Sequence, residues 1–212
     1  PEVRDWWSAT WRSRLLTPET GYPVPVPTFL YAHARLAAPE NFPSILHGLS
    51  LAVHLINIGL VFALLRRWER PWVGLAVSAL WGLHPAAVES VAWVTNLKTC
   101  LWLTFLLGAM ILWERRLDRV EDGEATYGAV AGIALLYILG LGCRPSMVLL
   151  PAVLALQAWR RGAGISAILK RDGIALAGFA LPALFYVPVA FFQHESFAND
   201  LGGADAWLRL KK

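Results

Sequence analysis

The sequence predicts an all-α membrane protein, a polytopic bundle of about six transmembrane helices. Three observations carry that expectation. Of the 212 residues, 57% are hydrophobic and the mean hydropathy is +0.49. Charged residues make up 16% of the chain, against about 25% in a soluble domain. The charges lie between long apolar runs, so the net charge of +4 reads as loop charge and not as a nucleic-acid surface. The chain opens on Pro1 with no signal-peptide pattern, and it reads as a piece of something longer.

Residues 1–41 form a polar, proline-rich opening. In "VRDWWSATWRSRLL", Trp7 and Trp11 share a helical face, as in a short helix at headgroup depth. "TPETGYPVPVPTF" is expected to be non-helical, because Pro23, Pro25 and Pro27 remove donors. The bundle is expected over 42–192. Residues 43–65 and 173–192 are long enough to span a membrane; 72–83, 99–113, 126–142 and 146–159 are short or marginal. Gly128 and Gly132 stand at small-xxx-small spacing. Residues 193–212 form a tail.

Loop charge sets the orientation. "RRWER", "ERRLDR" and "RRGAGISAILKR" hold ten basic residues on one side; the short loops opposite hold only Lys98 and Arg144. The positive-inside rule assigns the first set to the cytoplasm. Trp68, Trp72, Trp113 and Trp159 lie beside it, as an inner aromatic belt. The outer face then collects the opening, residues 84–98, the "GCRPS" turn with Arg144, and a tail with His194, Glu195 and Asp200. The cytoplasmic half is expected to carry loop charge alone.

The candidate site residues lie in "HPAAVESVAWVTNLK" and "GCRPS". Pro85 breaks the helix after His84 and opens a short second one, whose start favours a phosphate. Glu89 and Trp93 share a face, with His84 at the kink. A carboxylate near membrane depth is costly unless paired or functional. Glu89 therefore either pairs internally with Lys98 or His84, or belongs to a site. Arg144 either binds a phosphate or carboxylate or snorkels to headgroups. His47 and His54 share a helical face, with Asn57 three residues on, and an interhelical hydrogen bond is their expected role ahead of a proton relay or ligand role. The dispersed histidines offer no metal set. Cys100 and Cys143 read as small packing residues.

The order of these features resembles a known family. "NFPSILHGLSLAVHLINIGLVFALLRR" resembles the paired-His helix of the transmembrane and tetratricopeptide-repeat O-mannosyltransferases and their bacterial relatives. "ALWGLHPAAVESVAWVTNLKTCLWLTFLL" resembles their "LHP…VE.VAWV..RK" segment. "LGLGCRPSMVLLPAVLAL" resembles a third segment, with Arg144 where the family usually has Lys. "GYPVPVPTFLY" resembles the first outer loop, with Pro23 at the usual Arg. The likeness runs over about residues 1–160.

The resemblance implies a GT-C-type fold and a glycosyltransferase. Its donor is a polyprenyl-phosphate sugar, its acceptor protein hydroxyls, and its working face periplasmic, in a bacterial inner membrane. Lys98 and Arg144 would hold the carrier phosphate; His84 and Glu89 would support catalysis or orient the acceptor. The resemblance also implies an acidic pair upstream of the segment matching "PEVRDWW", to which Asp5 does not correspond. The alternative is a non-catalytic accessory or structural subunit that meets other membrane subunits in a larger complex.

Overall fold

A computed structural model describes residues 24–93, 96–123 and 126–202, with side chains described in these segments up to residue 182 and at 184, 186 and 188. The tryptophans at 6, 7 and 11, and Pro23, lie outside the described residues, as do the side chains of His194, Glu195 and Asp200. Every described element is helical: α1 (Pro25–Ala37), α2 (Phe42–Trp68), α3 (Pro71–Leu83), α4 (Pro85–Ala92), α5 (Leu97–Glu121), α6 (Tyr127–Leu141), a 3-10 turn (Pro145–Leu149), α7 (Leu150–Arg160) and α8 (Ile165–Gly202).

Prolines place most of the helix starts. α1, α2, α3, α4, the 3-10 turn and α7 each carry one in the first two positions. The first-turn amides have no partner inside a helix, so proline loses nothing there. This corrects the non-helical reading of the opening: Pro25 and Pro27 sit within the first turn of α1 and start it. The residue before a proline is pushed out of the helical region. Arg70, His84 and Arg144 are accordingly extended, at φ/ψ of −61/140, −65/135 and −151/140. Both His84 and Arg144 are thus corner residues, fixed between helices by the proline that follows.

α2 and α5 are long and apolar enough to cross a membrane, and so is the pair α3–α4 taken together, bent by 53° at His84. α6 is a shorter apolar helix. The apolar window of α2 is only 28% buried within the bundle, and Leu51, Leu55 and Ile56 are exposed, as befits a helix facing lipid chains. α5 runs eight residues past the expected end at Trp113, through "ERRLDRVE". α8 likewise begins at Ile165, inside the stretch expected to be a loop, and carries Pro182 and Pro188 internally.

α5 is the central post, packed on α2 along one side and on α6 along another. α3 packs on α2 through Gly74, Ser78 and Gly82, which are buried at four-residue spacing. A Cβ at Gly82 would lie 2.4 Å from Ile58 Cδ1, and one at Gly74 3.2 Å from the Arg66 backbone nitrogen. Small residues let two backbones approach, which is how helices gain contact where lipid is as apolar as the side chains. Of the other spaced pair, Gly132 faces Leu112 of α5 at 3.2 Å from an added Cβ, whereas Gly128 meets nothing within 4 Å. The largest apolar cluster joins α5, α6, α7 and α8 around Trp113, Tyr137, Leu150 and Phe179.

The antiparallel helices give the bundle two chemically different ends. The carboxyl ends of α2, α5 and α7 meet the start of α8 at the basic end. The α3–α4 corner, the start of α5 and the turn at Arg144 meet at the other. α1 lies at this second end, where Val26 N–H donates to Gly142 O at 3.2 Å.

Candidate functional site

At the second end, a cavity of about 290 Å³ lies under the α3–α4 bend. Its wall comes from three elements. α2 supplies His54 and Asn57, the bend supplies Trp81, His84 and Ser90, and α5 supplies Thr99 and Cys100. The local sequence explains the shape. Pro85 stops α3 and starts α4 at an angle, so α4 folds across the space between α2 and α5 instead of filling it. His84 holds the corner as an N-cap: Ala86 N–H donates to His84 Nδ1 at 3.2 Å. In that arrangement Nδ1 accepts, and Nε2 carries the ring proton.

The floor is an interhelical hydrogen-bond set. His54 Nε2 meets Gly82 O at 3.0 Å. A carbonyl can only accept, so Nε2–H donates. Asn57 Nδ2 donates to Cys100 O at 2.9 Å, and Thr104 Oγ1 donates to Asn57 Oδ1 at 2.8 Å. The expected interhelical role of His54 and Asn57 is what the contacts display; His47, seven residues before His54, is exposed.

Arg144 reaches the same place from the turn after α6. Its Nη1 donates to Thr99 Oγ1 at 3.2 Å, and its guanidinium lies 5.9 Å from the Trp102 ring centroid. Thr99 also lines the cavity, so Arg144 stands at the cavity's rim. Lys98 is half-buried in the first turn of α5, one residue before Thr99. Three of the four predicted residues, His84, Lys98 and Arg144, therefore gather around the start of α5. Glu89 does not line the cavity and is exposed on α4. It forms no ion pair with Lys98 or His84 among the described residues. The same-face reasoning holds for α4, but the face that turns inward is that of Ala86, Ala87 and Ser90.

Both cysteines are free and buried. Burial pushes the Cys143 thiol up to about 12, which removes thiolate character at neutral pH. Among the described residues, no group of three His, Cys, Asp or Glu side chains is arranged to hold a metal ion, and no carboxylate is among those lining the cavity.

The opposite end corrects the expectation of loop charge alone. Glu114, 1% exposed, accepts from Trp68 Nε1 at 3.0 Å, Gln157 Nε2 at 3.1 Å, Arg160 Nη2 at 3.1 Å and Arg161 Nε at 2.9 Å. Asp118 pairs with Arg67 and with Arg161, the latter at 2.7 Å. Asp172, fully buried, pairs with Arg116 at 2.6 Å and with its neighbour Arg171 at 2.8 Å. Burial alone would lower the Arg161 pKa, but its bonds to Asp118 and Glu114 raise it on balance. Gly162, at φ 85°, ends the preceding helix and lets Arg160 and Arg161 fold back on α5.

Sequence reasoning missed this network although a signal was present. Glu114, Asp118 and Glu121 recur at i, i+4 and i+7 on one face of α5, and Arg161 contacts all three. The aromatic belt is corrected at one position. Trp72 and Trp159 are exposed, but Trp113 is fully buried, with Arg116 4.5 Å over its ring.

No protein-family model, curated protein or solved structure matches the chain.

Proposed function

We propose that this chain belongs to a membrane glycosyltransferase that takes a sugar from a polyprenyl-phosphate carrier and delivers it to an acceptor hydroxyl, on protein, at the outer face. The observation that carries the reading is the meeting of Arg144 with Thr99 beside Lys98, on the rim of the cavity under His84. The positive end of the α5 dipole and the two cations beside it all favour an anion at this place. A guanidinium also offers a fork that matches phosphate oxygens.

In this reading the bundle has six spans: α2, the bent α3–α4 pair, α5, α6, the 3-10 turn with α7, and α8. The basic end faces the cytoplasm by the positive-inside rule, so the cavity opens on the periplasmic side of an inner membrane. The carrier's chain lies in lipid and its phosphate at the Arg144 rim. The acceptor oxygen attacks the anomeric carbon as the bond from that carbon to the phosphate oxygen breaks. Polyprenyl phosphate leaves, and Lys98 and Arg144 stabilise its charge. The acceptor proton goes to a general base. Carboxylates are absent from the described lining, so the acidic pair that the family resemblance implies would supply it, with His84 and Glu89 in support.

That same absence favours a second reading, a non-catalytic accessory subunit with a vestigial carrier site. One experiment separates the two. Full-length protein, purified in lipid nanodiscs, is given a panel of polyprenyl-phosphate hexoses, and release of polyprenyl phosphate is followed. The enzyme reading expects turnover that falls about 100-fold in Arg144→Ala or Lys98→Ala, the scale of removing one donor to a developing anion. An inert wild type across the panel would leave the accessory reading standing.

A further inference from the structure

The rim cations account for a phosphate, but not for the cavity beneath them. About 290 Å³ is at the lower end of small-molecule pockets. It is walled by apolar atoms with few polar groups, the pattern that recognises a small ring by shape and a few directed bonds. Trp81 offers an aromatic wall, held 5.6 Å from the His54 ring by centroids. The face of an indole is electron-rich and attracts weakly positive C–H bonds, such as those along one side of a pyranose.

His54 makes the pocket selective. It is 7% exposed, and its Nε2–H is committed to Gly82 O at 3.0 Å. Nδ1 of the same ring has no hydrogen bond among the described residues, so in the Nε2–H tautomer it is left as an acceptor. An acceptor in that position selects a ligand that brings an O–H donor. Thr99 complements it. Its oxygen already accepts from Arg144, which leaves its own O–H to donate. With the His84 Nε2–H and the Ser90 hydroxyl also in the wall, the pocket offers an acceptor, several donors and one aromatic wall, immediately inside a cationic rim.

We infer that this cavity is the hydroxyl-recognition subsite for the sugar ring of the carrier, with His54 accepting from a ring hydroxyl and Trp81 covering one face. This rests on the proposed function and adds a residue-level division of labour. Arg144 and Lys98 bind the phosphate regardless of what it carries, and His54 distinguishes a loaded carrier from a bare one.

The test compares binding of polyprenyl phosphate and of a panel of polyprenyl-phosphate hexoses to the full-length protein in nanodiscs. Wild type should bind at least one loaded carrier about fivefold to tenfold more tightly than the bare one, the scale of one buried hydrogen bond with its packing. His54→Phe should lose that preference and keep its affinity for bare carrier, which also shows that it is folded. His54→Gln, which can still donate to Gly82 O and accept a hydroxyl, should recover part of it. Equal binding of all carriers by wild type, or a preference unchanged in His54→Phe, overturns the inference while the phosphate site survives. Bare-carrier binding unaffected by Arg144→Ala and Lys98→Ala refutes the rim reading instead, and no binding at all refutes both.

Discussion

Arg144 and Thr99 meet across 45 positions of sequence, Nη1 to Oγ1 at 3.2 Å. The contact ties the turn after α6 to the first turn of α5. It also links fold and proposed function, because Thr99 lines the cavity and Arg144 reaches it through that bond. Thr99→Val keeps the shape and removes the acceptor. It should lower stability by about 1 kcal/mol, the net worth of one such bond, read as a shift in a thermal unfolding midpoint in detergent. Arg144→Lys should weaken carrier binding more than it weakens the fold, because the ammonium lacks the guanidinium's fork.

Glu114 is the buried hub of the opposite end. Removing its charge takes one of two close carboxylates from Arg161, which is 21% exposed and keeps Asp118 at 2.7 Å, and takes the ion pair from Arg160. Glu114→Gln should destabilise by about 3 kcal/mol, the range for breaking a buried pair on one side. Glu121→Gln should change little, because Glu121 is 59% exposed and 3.6 Å from Arg161. Equal effects of the two substitutions, measured by unfolding in the same detergent, would contradict the network.

Gly82 lets α3 lie against α2. Gly82→Ala drives a methyl to within 2.4 Å of Ile58 Cδ1, so it should destabilise by about 1–3 kcal/mol as overpacking does. Ile58→Ala removes the clashing atoms and should restore part of that loss in the double variant. A double variant less stable than the sum of the singles would place the conflict elsewhere.

Cys143 gives a pH dependence with a definite sign. Its thiol is pushed up to about 12 from an ordinary value of 9.0, so the folded state holds its proton more tightly than the unfolded chain. That contribution is fully present below pH 9 and is lost as pH rises towards 12. The Cys143→Ala variant should show a shallower decline in stability over that alkaline window. In the native protein, Cys143 should also resist alkylation at pH 8 until a denaturant is added.

What the sequence revealed and what it hid divide along physical lines. The bend at His84 was legible because proline acts locally: it removes one amide and constrains one neighbour. The starts of α2 and α3, each with a proline in the first two positions, fall within one residue of the expected runs; at α1, counting prolines concealed that the first turn tolerates them, and α8 starts within an expected loop. Spacing placed Glu89 and Trp93 on one face of α4, but only packing against α2 and α5 says which face turns inward, and it is that of Ala86, Ala87 and Ser90. The Glu114 cluster was hidden by treating Arg160 and Arg161 as loop charge, although Glu114, Asp118 and Glu121 already lay on one stripe. Its arginine partner comes from 47 positions away, a pairing that no local pattern reveals. The cavity itself is a product of the 53° bend between α3 and α4 set over α2 and α5, so it has no sequence signature beyond Pro85.

The most direct measurement is a photo-crosslink from a polyprenyl-phosphate probe, with a diazirine next to its phosphate, to the full-length protein in nanodiscs. Peptide mapping should find the label on residues 84–99 and 142–147, reduced in Arg144→Ala and competed by unlabelled polyprenyl phosphate. Label confined to the Glu114–Arg161 end, or label at 84–99 that neither the substitution nor the competitor diminishes, would contradict a carrier site at the His84–Arg144 end.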